Sequence, residues 1–282
     1  MKRQSLKRLT LPRDPGVYQF IGKNRKILYI GRATSLASRV QSYFAPDIEE
    51  KRGGAIARMV KEAKTVRYEK TESVLEALIL EANLIKKHQP KYNVKEKDDK
   101  SFNYIVITKE DFPRVLLMRG HELSTTHYPL LTTFGPLPRG GVLRDALKII
   151  RRIFQFRDTC TPPKIGVSQR TKIYSSILEN TRIAKSCFNA QMGLCPGVCD
   201  GRFGKSEYAQ TITHLRMFLS GKRVSLIKKL EKEMKSAAKN RAFEDASTLK
   251  RTLFSLQHIQ DVSLLKNNAP EGESSGKFRI EG

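Results

Sequence analysis

The fold of this chain is decided by Gly16-Val17-Tyr18-Gln19-Phe20 and by Leu28-Tyr29-Ile30-Gly31, which follows shortly after it. Both stretches are rich in β-branched and aromatic residues, which suit a pleated, half-buried surface, so each is predicted to form a strand. Residues 22–25 between them contain the glycine and asparagine typical of a hairpin turn. A four-residue loop would place Tyr18 directly opposite Tyr29, with both phenols on one face. The alternative is an ordinary hairpin with two surface tyrosines.

A helix is predicted directly after the second strand, because Thr34-Ser35 is a typical helix start. Four residues recur at spacings of three and four and would share one face of that helix: Arg32, Ser35, Arg39 and Tyr43. This face would bring two guanidinium groups and a third phenol close to the tyrosine pair. Fixed positive charges, hydrogen-bond donors and candidate bases are what cleavage of a phosphodiester requires.

The charge of the chain limits its partners. Its 282 residues include 53 Lys and Arg against 28 Asp and Glu, which gives a net charge of +25. Because this excess is spread along the chain, a polyanion lying along the protein is expected, with nucleic acid as the first candidate. A membrane surface is the competing partner, but the sequence has no apolar run near 18 residues, signal peptide or lipidation motif. We therefore expect a soluble, cytoplasmic protein with no membrane partner.

A carboxylate lies inside the apolar stripe of the next helix. Ser73 and Glu76 have the capping-box spacing that predicts where this helix starts. Glu81 follows on its apolar face, where a carboxylate is costly unless it is paired or binds a metal. One interpretation is an internal salt bridge, with Arg39 as the candidate partner; the other is a site for Mg²⁺ or Mn²⁺, which the nearby phenols and arginines favour. Asn93, after the helix, could orient the carboxylate or the substrate, or could be a turn residue.

The second half of the chain has weaker patterns. Strands are predicted around residues 105–107 and 114–117, and a turn at Phe134-Gly135-Pro136. A basic amphipathic helix is predicted from Leu143 to Phe154. Its positive charges are carried by Arg144, Lys148, Arg151 and Arg152. They either form a solvated face or contact DNA phosphates.

The four cysteines are confined to one region: Cys160, Cys187, Cys195 and Cys199. In a cytosolic chain, such a group can bind Zn²⁺ or an iron–sulfur cluster. The alternative is four buried thiols that pack as small apolar residues.

From about Val224 the apolar residues recur at helical spacing on both sides of a turn at Asn240-Arg241-Ala242, which predicts an αα-hairpin. The hairpin either docks on a partner or is a plain helical end cap.

The overall class is α+β. The predicted division is a basic lead-in over 1–13, a small α/β domain with an antiparallel sheet and flanking helices over 14–95, a middle region containing the cysteines over 96–222, the hairpin over 223–260 and a disordered tail over 266–282.

Several motifs together resemble a known family. Gly16-Val17-Tyr18 and Tyr29-Ile30-Gly31, with Arg39 and Glu81 at these intervals, resemble the GIY-YIG nuclease module. A wider set of motifs is similar to the N-terminal half of the UvrC excinucleases: Arg39-Val40-Gln41-Ser42-Tyr43-Phe44, Leu80-Glu81-Ala82-Asn83-Leu84-Ile85-Lys86, Phe112-Pro113-Arg114-Val115, the Cys-x7-Cys-x3-Cys run and Phe218-Leu219-Ser220-Gly221. The chain therefore resembles a short, Cho-like form that keeps a UVR motif in its C-terminal hairpin. Arg32 stands where the family usually has lysine.

The resemblance implies a structure-directed endonuclease of nucleotide excision repair, which makes the 3′-side incision in damaged double-stranded DNA bound to UvrB. By analogy, Glu81 holds one Mg²⁺ or Mn²⁺, and Tyr29 or Tyr18 activates the attacking water. Arg39 would stabilise the pentacovalent phosphorane, while Arg32 and Tyr43 position the phosphate and the water. The hairpin would dock on UvrB, and the cysteines would hold a [4Fe-4S] cluster. A GIY-YIG nuclease with its own sequence specificity and a non-catalytic UvrB- and DNA-binding adaptor are the alternatives.

Overall fold

The computed structural model describes residues 11–93, 102–127, 129–137, 141–160, 186–200 and 203–259. The predicted tail and most of the predicted lead-in lie outside these ranges. The described residues form two compact units, one containing residues 11–93 and 141–146, the other containing the rest up to 258. Small antiparallel sheets with flanking helices confirm the predicted α+β class. In the part of the chain that the structure describes, no helix is long and apolar enough to cross a membrane.

The first unit is built on a three-stranded antiparallel sheet. Its strands, in the spatial order β2-β1-β3, are β1 (Gly16–Ile21), β2 (Ile27–Ala33) and β3 (Thr65–Lys70). The helices around the sheet are α1 (Leu36–Gln41), α2 (Ile48–Arg52), α3 (Gly54–Glu62) and α4 (Val74–His88). Because side chains alternate along the central strand β1, Val17 packs with Ala77 of α4 on one face, while Tyr18 and Phe20 enter an aromatic core on the other.

The predicted hairpin is confirmed, but its predicted register is wrong. Tyr18 pairs with Gly31, and Tyr29 pairs with Phe20. A short 3₁₀ turn lies between the strands, Asn24 has a φ of 54°, and the register shifts after Phe20. The two phenols therefore lie diagonally across the strand pair, and their ring centroids are 6.3 Å apart on the same face.

The pairing of Tyr18 with residue 31 explains why this position is a glycine. A Cβ atom added to Gly31 would overlap with Oη of Tyr18 and would lie 3.0 Å from Cε1 of Tyr29. No side chain fits in that space, so the absence of a Cβ at Gly31 is what lets the phenol lie over β2.

The predicted helical face from Arg32 to Tyr43 is also wrong, because three different elements carry its residues. Arg32 still pairs with Val17 and belongs to β2. α1 begins at Leu36, after Ser35 accepts a hydrogen bond from the backbone nitrogen of Ser38 as the helix cap. Tyr43 lies in a 3₁₀ turn beyond α1.

The second unit contains another three-stranded antiparallel sheet, in the order β5-β4-β6. Its strands are β4 (Asn103–Thr108), β5 (Val115–Arg119) and β6 (Leu130–Leu137). The turn predicted at Phe134-Gly135-Pro136 is wrong, since these residues lie within β6 where its register with β4 shifts. Proline has no N–H for a ladder bond, which suits such an irregularity.

Helices complete the described chain: α5 (Gly120–Thr125), α6 (Gly141–Phe154), α7 (Phe188–Gln191), α8 (Lys205–Leu219), α9 (Arg223–Lys239) and α10 (Phe243–Gln257). α9 and α10 pack against each other on either side of Asn240–Ala242, which confirms the predicted αα-hairpin.

We expect Gly31→Ala to lower the free energy of unfolding by about 1–3 kcal/mol, because the new methyl group overpacks against the Tyr18 phenol. Tyr18→Phe removes the nearest atom and should recover part of this loss in the double variant. Gly54→Ala is the matched control, since its nearest neighbour would be 3.4 Å away and its stability should hold or rise. Urea denaturation of the wild type, of each single variant and of the double variant measures these differences in the free energy of unfolding. Equal stability of wild type and Gly31→Ala would contradict the close approach.

Candidate active site

The structure brings the three predicted tyrosines together. The hydroxyls of Tyr18 and Tyr43 are hydrogen-bonded at 2.7 Å, and both side chains are buried. The Tyr29 ring lies 6.1 Å from that of Tyr43. Burial raises the pKa of Tyr18 and of Tyr29 well above that of a free phenol, and the neighbouring phenols add to the effect. Both side chains are therefore protonated at neutral pH.

Two arginines border this cluster. Cζ of Arg39 lies 5.9 Å from the Tyr43 ring centroid. Burial lowers the pKa of Arg39, but the phenolic oxygens of Tyr18 and Tyr43 outweigh it and raise the pKa, so the guanidinium keeps its charge. Arg52 was missed by the sequence reasoning. Its Cζ lies 4.3 Å above the Tyr43 ring centroid, a cation–π contact, and its Nη2 donates to Ser42 Oγ at 2.9 Å.

Glu81 pairs with Arg32, so the suggested partner Arg39 is wrong. Arg32 Nη1 donates to Oε2 of Glu81 at 2.5 Å, and the backbone nitrogen of Arg32 donates to Oε1 at 3.0 Å. The two side chains are 17% and 13% exposed, so the pair is shielded but reachable from solvent. The carboxylate lies against β2 three residues after Tyr29, because it accepts from the backbone nitrogen of Arg32, and its charge contributes to the raised pKa of Tyr29.

Asn93 is fixed to the backbone of the strand that carries Tyr29. Its Oδ1 accepts from the nitrogen of Ile30 at 2.8 Å, and its Nδ2 donates to the oxygen of Ile30 at 2.7 Å. Because β2 is an edge strand, this side chain completes its hydrogen bonding there. Asn93 thus positions β2, and its predicted contact with the substrate stays a prediction.

The donor set suits a hard divalent cation that keeps most of its own water. Glu81 offers carboxylate oxygens, and Mg²⁺ is commonly held by one or two carboxylates together with phosphate oxygens and water. Among the described residues, no group of three or more His, Cys, Asp or Glu side chains could hold a metal ion. A site that uses Glu81 would therefore depend on the substrate for further ligands.

The cysteines influence one another but do not form a ready metal site. The pKa of the Cys160 thiol is raised by burial and, to a smaller extent, by the thiols at positions 195, 199 and 187. Cys199 is hydrogen-bonded to Cys187, and burial is the main cause of its raised pKa. All four are free cysteines.

The predicted basic face of α6 is divided between surface and interior. Arg144, Lys148 and Arg152 are exposed. Arg151 instead donates to the carbonyl oxygens of Phe156 and Leu194 at 3.1 and 3.0 Å and forms an ion pair with Asp158. The charge of Arg151 is thus paired within the protein, and its remaining nitrogen, Nη2, is shielded from solvent, which argues against the predicted contact with DNA.

Three family models match the chain in succession. Residues 14–94 match the UvrC-like GIY-YIG domain, residues 102–218 match the UvrC/Cho excinuclease middle domain, and residues 225–259 match the UvrB/uvrC motif. This chain is UvrC-like.

The UvrC-like chain has relatives named UvrABC system protein C. It is 37% identical over 252 residues to the protein of Clostridium beijerinckii, which covers 89% of this chain and 37% of the relative. It is 37% identical over 262 residues to that of Carboxydothermus hydrogenoformans, which covers 92% of this chain and 39% of the relative. The chain thus spans less than half the length of these relatives.

Among solved structures, the GIY-YIG N-terminal endonuclease domain of UvrC from Thermotoga maritima, bound to magnesium as its catalytic divalent cation, is 41% identical. The match covers 33% of this UvrC-like chain and all of that domain, with a TM-score of 0.30.

We expect Asn93→Ala to lower the free energy of unfolding by about 1–3 kcal/mol, because it leaves the backbone N–H and C=O of Ile30 without their partner. The backbone amide of Ile30 should also exchange its hydrogen faster than in wild type. Gln89→Ala, at an exposed helix end, is the control and should leave Ile30 unchanged. Unaltered exchange at Ile30 in Asn93→Ala would show that the side chain does not hold β2.

Proposed function

We propose that this chain is a divalent-metal-dependent DNA endonuclease of nucleotide excision repair. It would cut damaged double-stranded DNA on the 3′ side of a lesion in a UvrB–DNA complex. The observation that carries the proposal is the convergence of the three tyrosines, Arg39 and Glu81 within the residues matched by the UvrC-like GIY-YIG domain. The net charge of +25 suits a polyanionic substrate.

Glu81 is the residue proposed to hold Mg²⁺ or Mn²⁺, because its carboxylate is partly shielded and acts electrostatically on Tyr29. When bound, such a cation supplies Lewis acidity at the phosphate. Arg39 stays charged and is proposed to stabilise the negative charge that develops on the phosphorane. Arg32 and Tyr43 are proposed to position the phosphate and the attacking water.

Tyr29 or Tyr18 is proposed to take the proton of that water. Burial raises the pKa of both phenols, so either can act as a base only when positive charge beside it counteracts burial. Arg39 supplies such a charge, because it lowers the pKa of both phenols.

Two alternative functions fit this chain less well. A GIY-YIG nuclease with its own sequence specificity is disfavoured because the UvrB/uvrC motif match extends over the C-terminal hairpin. A non-catalytic adaptor is disfavoured because the tyrosines, Arg39 and Glu81, which a nuclease would need and an adaptor would not, are all present in this unit.

Nicking of a lesion-bearing duplex tests the three functions. With UvrB and Mg²⁺, the wild-type chain should nick the duplex, and Glu81→Ala should lose at least about a hundredfold in rate, since a bound cation contributes several kcal/mol. Chelation of divalent cations should abolish nicking by the wild type.

Glu50→Ala removes an exposed carboxylate elsewhere in the same unit and is expected to nick at the wild-type rate. Equal rates for wild type and Glu81→Ala would contradict the role of Glu81. Cutting of undamaged DNA at fixed sequences would favour the specific nuclease, and no cutting by any protein would favour the adaptor.

We propose that the α9–α10 hairpin docks on UvrB. Three large apolar side chains are unusually exposed on it: Val224 at 67%, Phe243 at 68% and Phe254 at 61%. Exposed aromatic residues of this kind are typical of interface anchors.

Phe243→Ala should weaken binding to UvrB by about tenfold or more in a titration monitored by fluorescence anisotropy, because truncation removes an aromatic anchor. Lys250→Ala, an exposed polar position on the same helix, is the control with a smaller expected effect. An unchanged affinity for both variants would remove the support for docking through this face.

We also propose that the four cysteines bind a [4Fe-4S] cluster, with Zn²⁺ as the alternative. The mutual influence of the thiols supports this, although no group of three or more ligands is arranged for a metal within the described residues. Anaerobically purified protein should therefore be brown, with a broad visible absorption that Cys195→Ser abolishes. A colourless protein that contains zinc would contradict the cluster.

The remaining expectations stay proposals. These are the domain boundaries 14–95, 96–222 and 223–260, a cytoplasmic location, and DNA contacts by Arg144, Lys148 and Arg152.

A further inference from the structure

One residue contacts both oxygens of the Glu81 carboxylate. The backbone nitrogen of Arg32 holds Oε1, and its guanidinium holds Oε2 through Nη1. A positive charge from the same chain therefore lies against Oε2 and opposes the approach of a divalent cation to this oxygen. The guanidinium stands where a metal ion would be attracted, since both neutralise the same carboxylate.

The side chain of Arg32 is incompletely satisfied in this pose. Its Nε is shielded from solvent and has no hydrogen-bond partner within the part of the chain that the structure describes. A guanidinium has five donors in a planar fork whose geometry matches two oxygens of a phosphate. Glu81 receives only the Nη1 bond from this side chain, so other donors of the guanidinium remain for a second anion that approaches the carboxylate.

The two contacts of Arg32 are held in different ways. Its backbone is fixed by pairing with Val17 in the sheet, so the bond to Oε1 is part of the fold. The bond to Oε2 depends on a long, flexible side chain that is 17% exposed. The side chain can leave while the backbone bond keeps the carboxylate oriented.

We propose that Arg32 is an exchangeable counter-ion of Glu81. Without DNA, its guanidinium neutralises the carboxylate and competes with divalent cations. When DNA binds, the guanidinium transfers to a backbone phosphate and releases Oε2 to the cation. DNA and divalent cation then bind cooperatively, each strengthening the other by the same factor. This inference rests on the proposed function, since it takes Glu81 as the metal-binding residue.

Arg39 does not serve this role. Its charge interacts with Tyr18 and Tyr43. Burial lowers the pKa of Arg39, and these two phenols are the main groups that raise it. The bonds to both oxygens of Glu81 come from Arg32. Arg32 is thus the arginine that can move between the carboxylate and a phosphate.

Binding of Mn²⁺ to the full chain, followed by the electron paramagnetic resonance signal of free Mn²⁺, tests the proposal without any cleavage. UvrB is left out, so that the added duplex is not cut. The duplex should tighten Mn²⁺ binding to the protein with Arg32 by about tenfold, within the usual range of coupling between two sites. Arg32→Gln should bind Mn²⁺ about tenfold more tightly than this protein when DNA is absent, and the duplex should add little.

Arg32→Lys keeps the charge without the fork and should give intermediate values, so the proposal is testable even if Arg32→Gln folds poorly. Arg25→Gln, an exposed arginine in the hairpin turn, is the control and should match the protein with Arg32. Suppose that Mn²⁺ binding depends on Glu81 but is equally tight in the protein with Arg32, in Arg32→Gln and in Arg32→Lys. This result overturns the exchange and leaves the proposed function intact. Mn²⁺ binding that Glu81→Gln does not weaken overturns both.

Discussion

The ion pair between Arg32 and Glu81 joins the two parts of the first unit on which its chemistry depends. Arg32 belongs to β2, next to Gly31, and Glu81 lies on the helix α4 that packs against the sheet. A carboxylate on an apolar helix face needs a partner, and the strand that carries Tyr29 supplies it. The same bond that satisfies Glu81 therefore brings an acidic group to the tyrosine cluster.

The aromatic side of the site is fixed by close packing. Tyr18 can lie over β2 only because Gly31 has no Cβ, and its hydroxyl is then held by that of Tyr43. Asn93 closes the outer edge of β2 through both atoms of its amide. The phenols thus have defined positions, which a site that orients a phosphate and a water requires.

Local patterns in the sequence predicted the strands, the Ser73 cap and the position of Glu81, because each depends on residues close in the chain. The register failed because it depends on a turn with positive φ at Asn24 and on a bulge, which composition does not encode. Arg52 was missed because its contact with Tyr43 arises from tertiary packing of α2. Arg151 was assigned to the surface by periodicity, but carbonyl oxygens at the end of α6 and beyond bind it.

The central claim is that Glu81 holds a divalent cation beside the paired phenols. The most direct measurement is paramagnetic broadening by Mn²⁺ of the ring resonances of isotopically labelled tyrosines, assigned with Tyr→Phe variants. If Glu81 holds the cation, substoichiometric Mn²⁺ should broaden the ring resonances of Tyr18, Tyr29 and Tyr43 in the wild-type chain and leave them sharp in Glu81→Ala. Broadening that persists in Glu81→Ala, or that misses these three rings in the wild type, would contradict it.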